Sequence, residues 1–216
     1  MGSYDKIILT DIDEVLLKWL PTFKNFIKSH YNIDYPEDNH VGDVLGEDGF
    51  KYVHEFNHTS KHFANLHAYS DALSILPKLH NEGWKIVGVT ACGTEDDVIA
   101  MRKTNLYAVF GHIFDDILTV NYTDSKLIHL NRYDTTWYID DAWKHVFEAA
   151  DIHKCIHLKR IFELDKSDPR IINANDWYDV YNIINGLVDE KYQNKSITWN
   201  VSSVNTDKEK HFIEND

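Results

Sequence analysis

Asp11 and Asp13 stand one residue apart, directly after the apolar run 7–9. Successive side chains of a buried strand point to opposite faces, so an acid among them is costly unless the strand has reached its end. Two acids at the carboxyl end of a first strand suggest a pocket that handles cations and phosphate, where open α/β sheets place their ligands. The plain alternative is an Asp-Ile-Asp turn that closes a strand, since Asp is a common turn residue. Three further features fall at strand ends or helix starts. Thr90 ends the run Ile86-Val87-Gly88-Val89, Lys126 opens a helical segment after Asp124-Ser125, and Asp140-Asp141 follow Trp137-Tyr138-Ile139. Taken singly, Thr90 reads as an ordinary strand-end residue, Lys126 as a solvated lysine, and Asp140 as a cap for a helix from Ala142.

The elements that must position these residues follow from hydrophobic pattern. Strand-like runs occur at 7–10, 84–90, 113–120, 136–139 and 155–158. Between them lie helical stripes: Ala72, Leu73, Leu76 and Leu79, ending near Gly83 with a kink expected at Pro77, and Ala142, Val146, Phe147 and Ala150. Thr94 before Glu95, Asp96 and Asp97 reads as a helix start, a capping hydroxyl followed by acids on the positive end of the dipole. A last apolar stripe spans 177–187. Strands alternating with helices indicate an α/β chain with a parallel, helix-flanked sheet.

Two stretches break this rhythm. Residues 19–66 separate the first strand from the second by far more than a crossover needs. They carry a helical stripe (Phe23, Phe26, Ile27, Tyr31), then a break at 35–49 with Pro36 and three glycines. The expected organisation is an α/β core from 1–18 and 67–188, a helical cap from 19–66, and a polar, partly disordered extension from 189–216. Within that extension Ile197, Trp199 and Val201 alternate like a short strand.

Composition narrows the function classes. Of 216 residues, 43% are hydrophobic, ample for a core, yet no apolar run approaches the ~20 residues that span a bilayer. The net charge of -13 argues against broad, non-specific nucleic-acid binding. A small anionic substrate stays compatible, because a metal ion and a local lysine override the global field. Two cysteines, Cys92 and Cys155, offer no disulfide framework, and no signal peptide is recognisable, so a reducing cytoplasm is expected.

Taken together in order, the acidic and polar features resemble the haloacid dehalogenase (HAD) superfamily of aspartate-nucleophile phosphotransferases. Asp11-Ile12-Asp13-Glu14-Val15 is similar to its first motif, Asp-x-Asp-x-Thr/Val, and Asp140-Asp141 to its acidic fourth. Thr90 and Lys126 stand where its second and third motifs fall, and 19–66 where it places a C1 cap. The resemblance covers about residues 5–160 and implies a Rossmann-like core. It implies Asp11 as a nucleophile forming an aspartyl-phosphate and Asp13 as general acid and base. Thr90 would hydrogen-bond the phosphoryl oxygens, and Lys126 would neutralise charge on nucleophile and phosphate. Mg²⁺ would be held by Asp11, Asp13 through its backbone carbonyl, Asp140 and Asp141, the direct ligand of the last pair being undetermined. The implied activity is phosphomonoester hydrolysis of a small phosphorylated metabolite. The helical cap with an Ile-Asp-Asp fourth motif looks like the 5′(3′)-deoxyribonucleotidase branch, with Trp19, Phe23, Tyr31 or Phe50 available to stack on a base.

Three features depart from that reading. Glu14 replaces the glycine of many relatives, and either disfavours phosphate or faces outward. With the excess of aromatic residues it also allows a non-catalytic HAD-like binding domain. His54-Glu55-Phe56-Asn57-His58 matches His-Glu-x-x-His, the pattern of a zinc hydrolase, with His62 extending the stripe and His67 nearby, among 13 histidines. A zinc protease needs a third ligand, and the extended His-x-x-Gly-x-x-His form is absent, since Lys61 replaces its glycine. Cys92, close after Thr90, reads as a small filler.

Overall fold

The computed structural model describes residues 6–36, 41–160 and 166–187. Six strands form one parallel sheet: β1 (Ile7–Thr10), β2 (Lys85–Thr90), β3 (Phe114–Thr119), β4 (Trp137–Asp140), β5 (Lys154–Leu158) and β6 (Ile171–Ala174), in the order β3-β2-β1-β4-β5-β6. The chain builds outward from β1 in one direction to β3, then returns to build from β4 to β6. The reversal leaves a crevice beyond the ends of β1 and β4, where open α/β sheets bind ligands.

The central strands are short and mostly apolar because both faces of the sheet are covered, while the edge strand β3 exposes Asp115 and Asp116. Ile8, Ile86, Ile139 and Ile156 point into one layer, and Leu9, Val87, Tyr138 and Cys155 into the other. Nine helices surround the sheet among the described residues: α1 (Trp19–Tyr31), α2 (Val41–Leu45), α3 (Gly49–His58), α4 (Ser60–Phe63), α5 (Ser70–Asn81), α6 (Asp96–Phe110), α7 (Leu127–Leu130), α8 (Trp143–Ala149) and α9 (Trp177–Ile184). Helices α5, α6 and α9 cover the first face with Leu76, Leu106 and Trp177, while α7 and α8 cover the second with Leu130 and Val146.

Helices α1 to α4 occupy the long interval after β1, joined by a 3-10 turn over Gly46–Asp48. Phe23, Phe26, Phe56 and Phe63 are buried between them, with Phe56 packing edge-on to Phe23 at 5.5 Å between ring centroids. These rings are continuous with the apolar layer on the first sheet face, so the insertion shares the core of the sheet. Its two connections run side by side: Lys18 N–H donates to the His67 carbonyl at 2.8 Å, Tyr69 N–H to Leu16 at 3.0 Å, and Leu17 bridges Ala68 antiparallel.

Several local readings differ from the pattern. β6 was not foreseen, because Ile-Ile-Asn-Ala is too short for a period to register. Helix α5 continues through Pro77. Thr94 does not cap α6: Glu95 occupies that position, and the Thr94 hydroxyl instead bonds Asn121 Oδ1 at 3.1 Å. Phe147 and Leu73 lie exposed on their helices, while Ala149 and Ile75 are buried in their stead. The expected strand at Ile197, Trp199 and Val201 lies outside the described residues.

Candidate active site

The loop after β1 is built around Ile12. Its side chain is fully buried and lies against Gly88 of β2, where an added Cβ would come within 3.0 Å of Ile12 Cδ1. That close approach pins the middle of Asp11-Ile12-Asp13 to the sheet and leaves the two flanking carboxylates at its upper edge. Asp11 N–H donates to the Ile139 carbonyl at 2.8 Å, joining the ends of β1 and β4.

Lys126, at the start of α7, is buried and reaches between these strand ends. Its Nζ lies 2.8 Å from Asp11 Oδ1 and 2.8 Å from Asp140 Oδ2. Burial disfavours its charge, but the two carboxylates more than offset this and hold it protonated far above neutrality. Asp140 is held on every side: Tyr138 Oη donates to its Oδ2, and the Ala142 amide donates to its Oδ1 at 2.8 Å. It therefore holds the turn that leads into α8 and also faces Lys126. Burial pushes Asp140 up, yet Lys126 and His145 outweigh it and leave the carboxyl below its usual range.

Asp11 and Asp141 behave oppositely. Burial raises Asp11 to about 7 despite Lys126, with Asp140 and Asp13 adding repulsion. Asp141 is pushed well above the carboxylate range by burial and by Asp140, Asp11 and Glu14. Its backbone carbonyl accepts from His157 Nε2 at 2.9 Å, which fixes the turn that aims it at Asp11. Asp11, Asp140 and Asp141 each offer an oxygen within 4.8 Å of the others. Three carboxylates facing one ammonium leave two negative charges uncompensated, a deficit that a divalent cation would fill. Hard oxygen donors with a two-charge deficit suit Mg²⁺.

Asp13 faces elsewhere. Arg102 of α6, fully buried, places Nη2 at 2.6 Å from both Asp13 oxygens, and the guanidinium stacks on Phe63 at 4.2 Å. Thr90 Oγ1, at the end of β2, donates to Asp13 Oδ2 at 3.4 Å. The structure thus brings Asp11, Lys126, Asp140 and Asp141 into one cluster and sets Asp13 and Thr90 beside it, on the α6 side. Arg102 escaped sequence reading because a lone arginine in a helix normally points to water. The available signal was its i, i+4 spacing between Val98 and Leu106, which are both buried.

Glu14 takes neither expected orientation. It adopts φ 59°, the left-handed conformation that a glycine accepts without strain. Its side chain turns inward, is buried, and accepts from the Leu20 amide in the first turn of α1 and from Tyr69 Oη. Burial raises Glu14 to about 7 against these bonds. Glu14 therefore links the loop after β1 to both connections of the helical insertion.

The ring candidates divide. Phe23 is fully buried, and Trp19 stacks on it at 4.7 Å while Trp19 Nε1 donates to Asn57 Oδ1 at 3.0 Å, so both serve the packing of the insertion. Tyr31 donates to Glu55, and Phe50 is exposed. Cys92 is buried, which pushes its thiol up and leaves it unreactive. In the His-Glu-x-x-His segment, Glu55 is engaged by Tyr31 and does not join the histidines; Glu95 does, with His54 and His58. His62 packs on Phe26 and His30.

No family model matches the chain. It is 26% identical over 227 residues to an uncharacterized 32.4 kDa protein from the Gp30-rIII intergenic region of Enterobacteria phage T4, covering 90% of this chain and 81% of that one. Among solved structures, a predicted phosphoglycolate phosphatase from Haemophilus somnus 129PT superposes with TM-score 0.56 at 16% identity, covering 85% of this chain and 99% of that one. D,D-heptose 1,7-bisphosphate phosphatase from B. bronchiseptica, complexed with magnesium and phosphate, gives TM-score 0.54 at 12% identity, with 85% and 99% covered. Dehalogenases give similar superpositions. The chain has the haloacid dehalogenase fold.

Proposed function

We propose that the protein is a Mg²⁺-dependent phosphomonoester hydrolase that works through an aspartyl-phosphate on Asp11. The observation that carries this reading is Lys126 bridging Asp11 and Asp140 at 2.8 Å each, beside Asp141, at the crevice where the sheet reverses direction. Displacement of halide by a carboxylate needs no cation among acids. Attack of a carboxylate on a phosphate dianion does, because like charges must be brought together. The converging acids therefore favour phosphate over a halogenated acid as substrate. They also weigh against a purely binding role for the domain.

Asp11, Asp140 and Asp141 would hold the ion. Asp141 is the stronger candidate for direct contact, since both oxygens of Asp140 already accept from Lys126, Tyr138 and the Ala142 amide. When bound, Mg²⁺ supplies positive charge that offsets the phosphate and lowers the proton affinity of the carboxylates around it. Lys126 orients the Asp11 carboxylate and stabilises negative charge as phosphorus is attacked. Thr90, at the end of β2, supplies a hydroxyl to the phosphoryl oxygens. Asp13, oriented by both contacts from Arg102, donates a proton to the leaving alkoxide and then takes one from water. The helical insertion of α1 to α4 closes the far side of the crevice and serves as a cap that selects the leaving group.

For the substrate we favour a nucleoside monophosphate, on the strength of the helical cap and the Ile-Asp-Asp motif. Trp19 and Phe23 are committed to packing and Tyr31 to Glu55 and Tyr52, so Phe50, exposed on α3, is the ring we assign to the base. A substrate panel with Mg²⁺ tests both levels. Hydrolysis of an aryl phosphate is expected in the wild type and lost on the order of 10³-fold or more in Asp11→Asn. Equal rates in the two proteins overturn the mechanism. Sugar phosphates hydrolysed as readily as nucleotides overturn the substrate assignment alone.

A further inference from the structure

A second cluster of metal-ligating side chains lies where the helical insertion meets the core. His54 and His58 are one turn apart on α3, with rings stacked at 4.1 Å between centroids. Glu95 comes from the head of α6, and each of the three residues offers a ligand atom within 4.8 Å of the others. His58 Nδ1 lies 2.8 Å from Asp97 Oδ2, which leaves Nε2 as the free nitrogen. That Nε2 is buried and has no hydrogen-bond partner. A carboxylate that holds one ring nitrogen and leaves the other free is how a metal-ligating histidine is oriented. Gly93, at φ 112°, makes room for the acid: a Cβ there would come within 2.6 Å of Glu95 Oε2. Next to the cluster, Asn57 docks α3 on the core by donating to the Cys92 carbonyl and Tyr122 Oη at 3.2 Å each.

We propose that His54, His58 and Glu95 bind a divalent transition metal of the zinc class that staples α3 of the insertion to the head of α6. Two imidazoles and one carboxylate form a three-ligand set that zinc completes with water, and imidazole donors select against Mg²⁺. Ligands about 2.0–2.1 Å from zinc are closer together than these atoms. His54 and Glu95 are exposed, so their side chains have room to rotate inward, Glu95 giving up the bond its Oε2 accepts from the Thr94 amide at 3.0 Å. The Glu of the His-Glu-x-x-His pattern takes no part, because Glu55 is engaged by Tyr31. The site is therefore a link between two parts of the fold. With Glu55 held by Tyr31 it lacks the free base of a His-Glu-x-x-His hydrolase, and it is independent of how Asp11 is read.

Titration of the full chain with Co²⁺, in excess Mg²⁺ to occupy the acidic cluster, tests the assignment. One equivalent with the absorption spectrum of four-coordinate Co²⁺ is expected. Binding should be lost in His58→Ala and Glu95→Gln, weakened about 10- to 100-fold in Asp97→Asn, and unchanged in Glu55→Gln and Asp141→Asn. Since Glu95 and Glu55 are exposed, the folding of their variants is not at issue. Binding that survives Glu95→Gln, or that is lost in Glu55→Gln or Asp141→Asn, overturns the proposal. Hydrogen exchange with Zn²⁺ should slow at both 54–58 and 95–99; slowing confined to 54–58 overturns the staple.

Discussion

Asp13 is the acid whose neighbours the sequence conceals. Its carboxylate is gripped by a fully buried guanidinium that stacks on Phe63, a ring of the insertion, so its orientation depends on packing between α4 and α6. Lysine in place of Arg102 keeps the charge but loses the planar guanidinium that stacks on Phe63 and brings Nη2 to both oxygens. Arg102→Lys should therefore lower kcat about 10²-fold with KM little changed, as expected when a proton-transfer group is misplaced. Steady-state kinetics check this, and an equal loss in KM would assign Arg102 to substrate binding instead. Asp11, Thr90, Lys126 and the Asp140-Asp141 pair were legible because each is a polar residue ending an apolar run or opening a helix. Arg102, Tyr138 and the inward turn of Glu14 were not. Their significance lies in partners far away in sequence, and no local pattern encodes a partner.

Among the elements, α1 and the loop after β1 are coupled through Glu14. An acid whose folded pKa, about 7, exceeds its ordinary 4.5 takes up a proton on folding between those values. Its contribution to stability is thus fully present below about 4.5 and lost as pH rises through about 7. Glu14→Gln keeps an acceptor for the Leu20 amide and cannot ionise. Thermal melting across that window should fall less steeply with pH in Glu14→Gln than in the wild type. Parallel curves would mean that the carboxyl is solvated and that the insertion is not tied to the loop through it. The strands around the site followed directly from apolar runs bounded by polar residues. The helices of the insertion were harder, since α2 and the 3-10 turn occupy a stretch whose glycines and proline read as a break. Val41 and Leu45 lie against Gly49 at the head of α3 and join the shared core, packing that outweighs local propensity.

For the whole molecule, the parallel sheet and its strand order explain why acids separated by more than a hundred residues converge. They also bear on stability. Asp11, Asp140 and Asp141 repel one another in the folded state and are far apart in the unfolded chain, so a bound divalent cation should stabilise the fold. Mg²⁺ at one hundred times its Kd should add about 2.7 kcal/mol, read as a rise in Tm that Asp141→Asn largely removes. No rise in the wild type would exclude the acidic cluster as a cation site. Among the described residues no helix is long and apolar enough to cross a membrane. The proposed phosphate chemistry rests on Asp11 becoming covalently modified during turnover. Acid quenching while an aryl phosphate is being hydrolysed, followed by borohydride reduction and peptide mass spectrometry, reads this directly, because an acyl phosphate on aspartate is reduced to homoserine. Homoserine at position 11, absent without substrate, is the result the account predicts; turnover with unmodified Asp11, or with the modification at another residue, would contradict it.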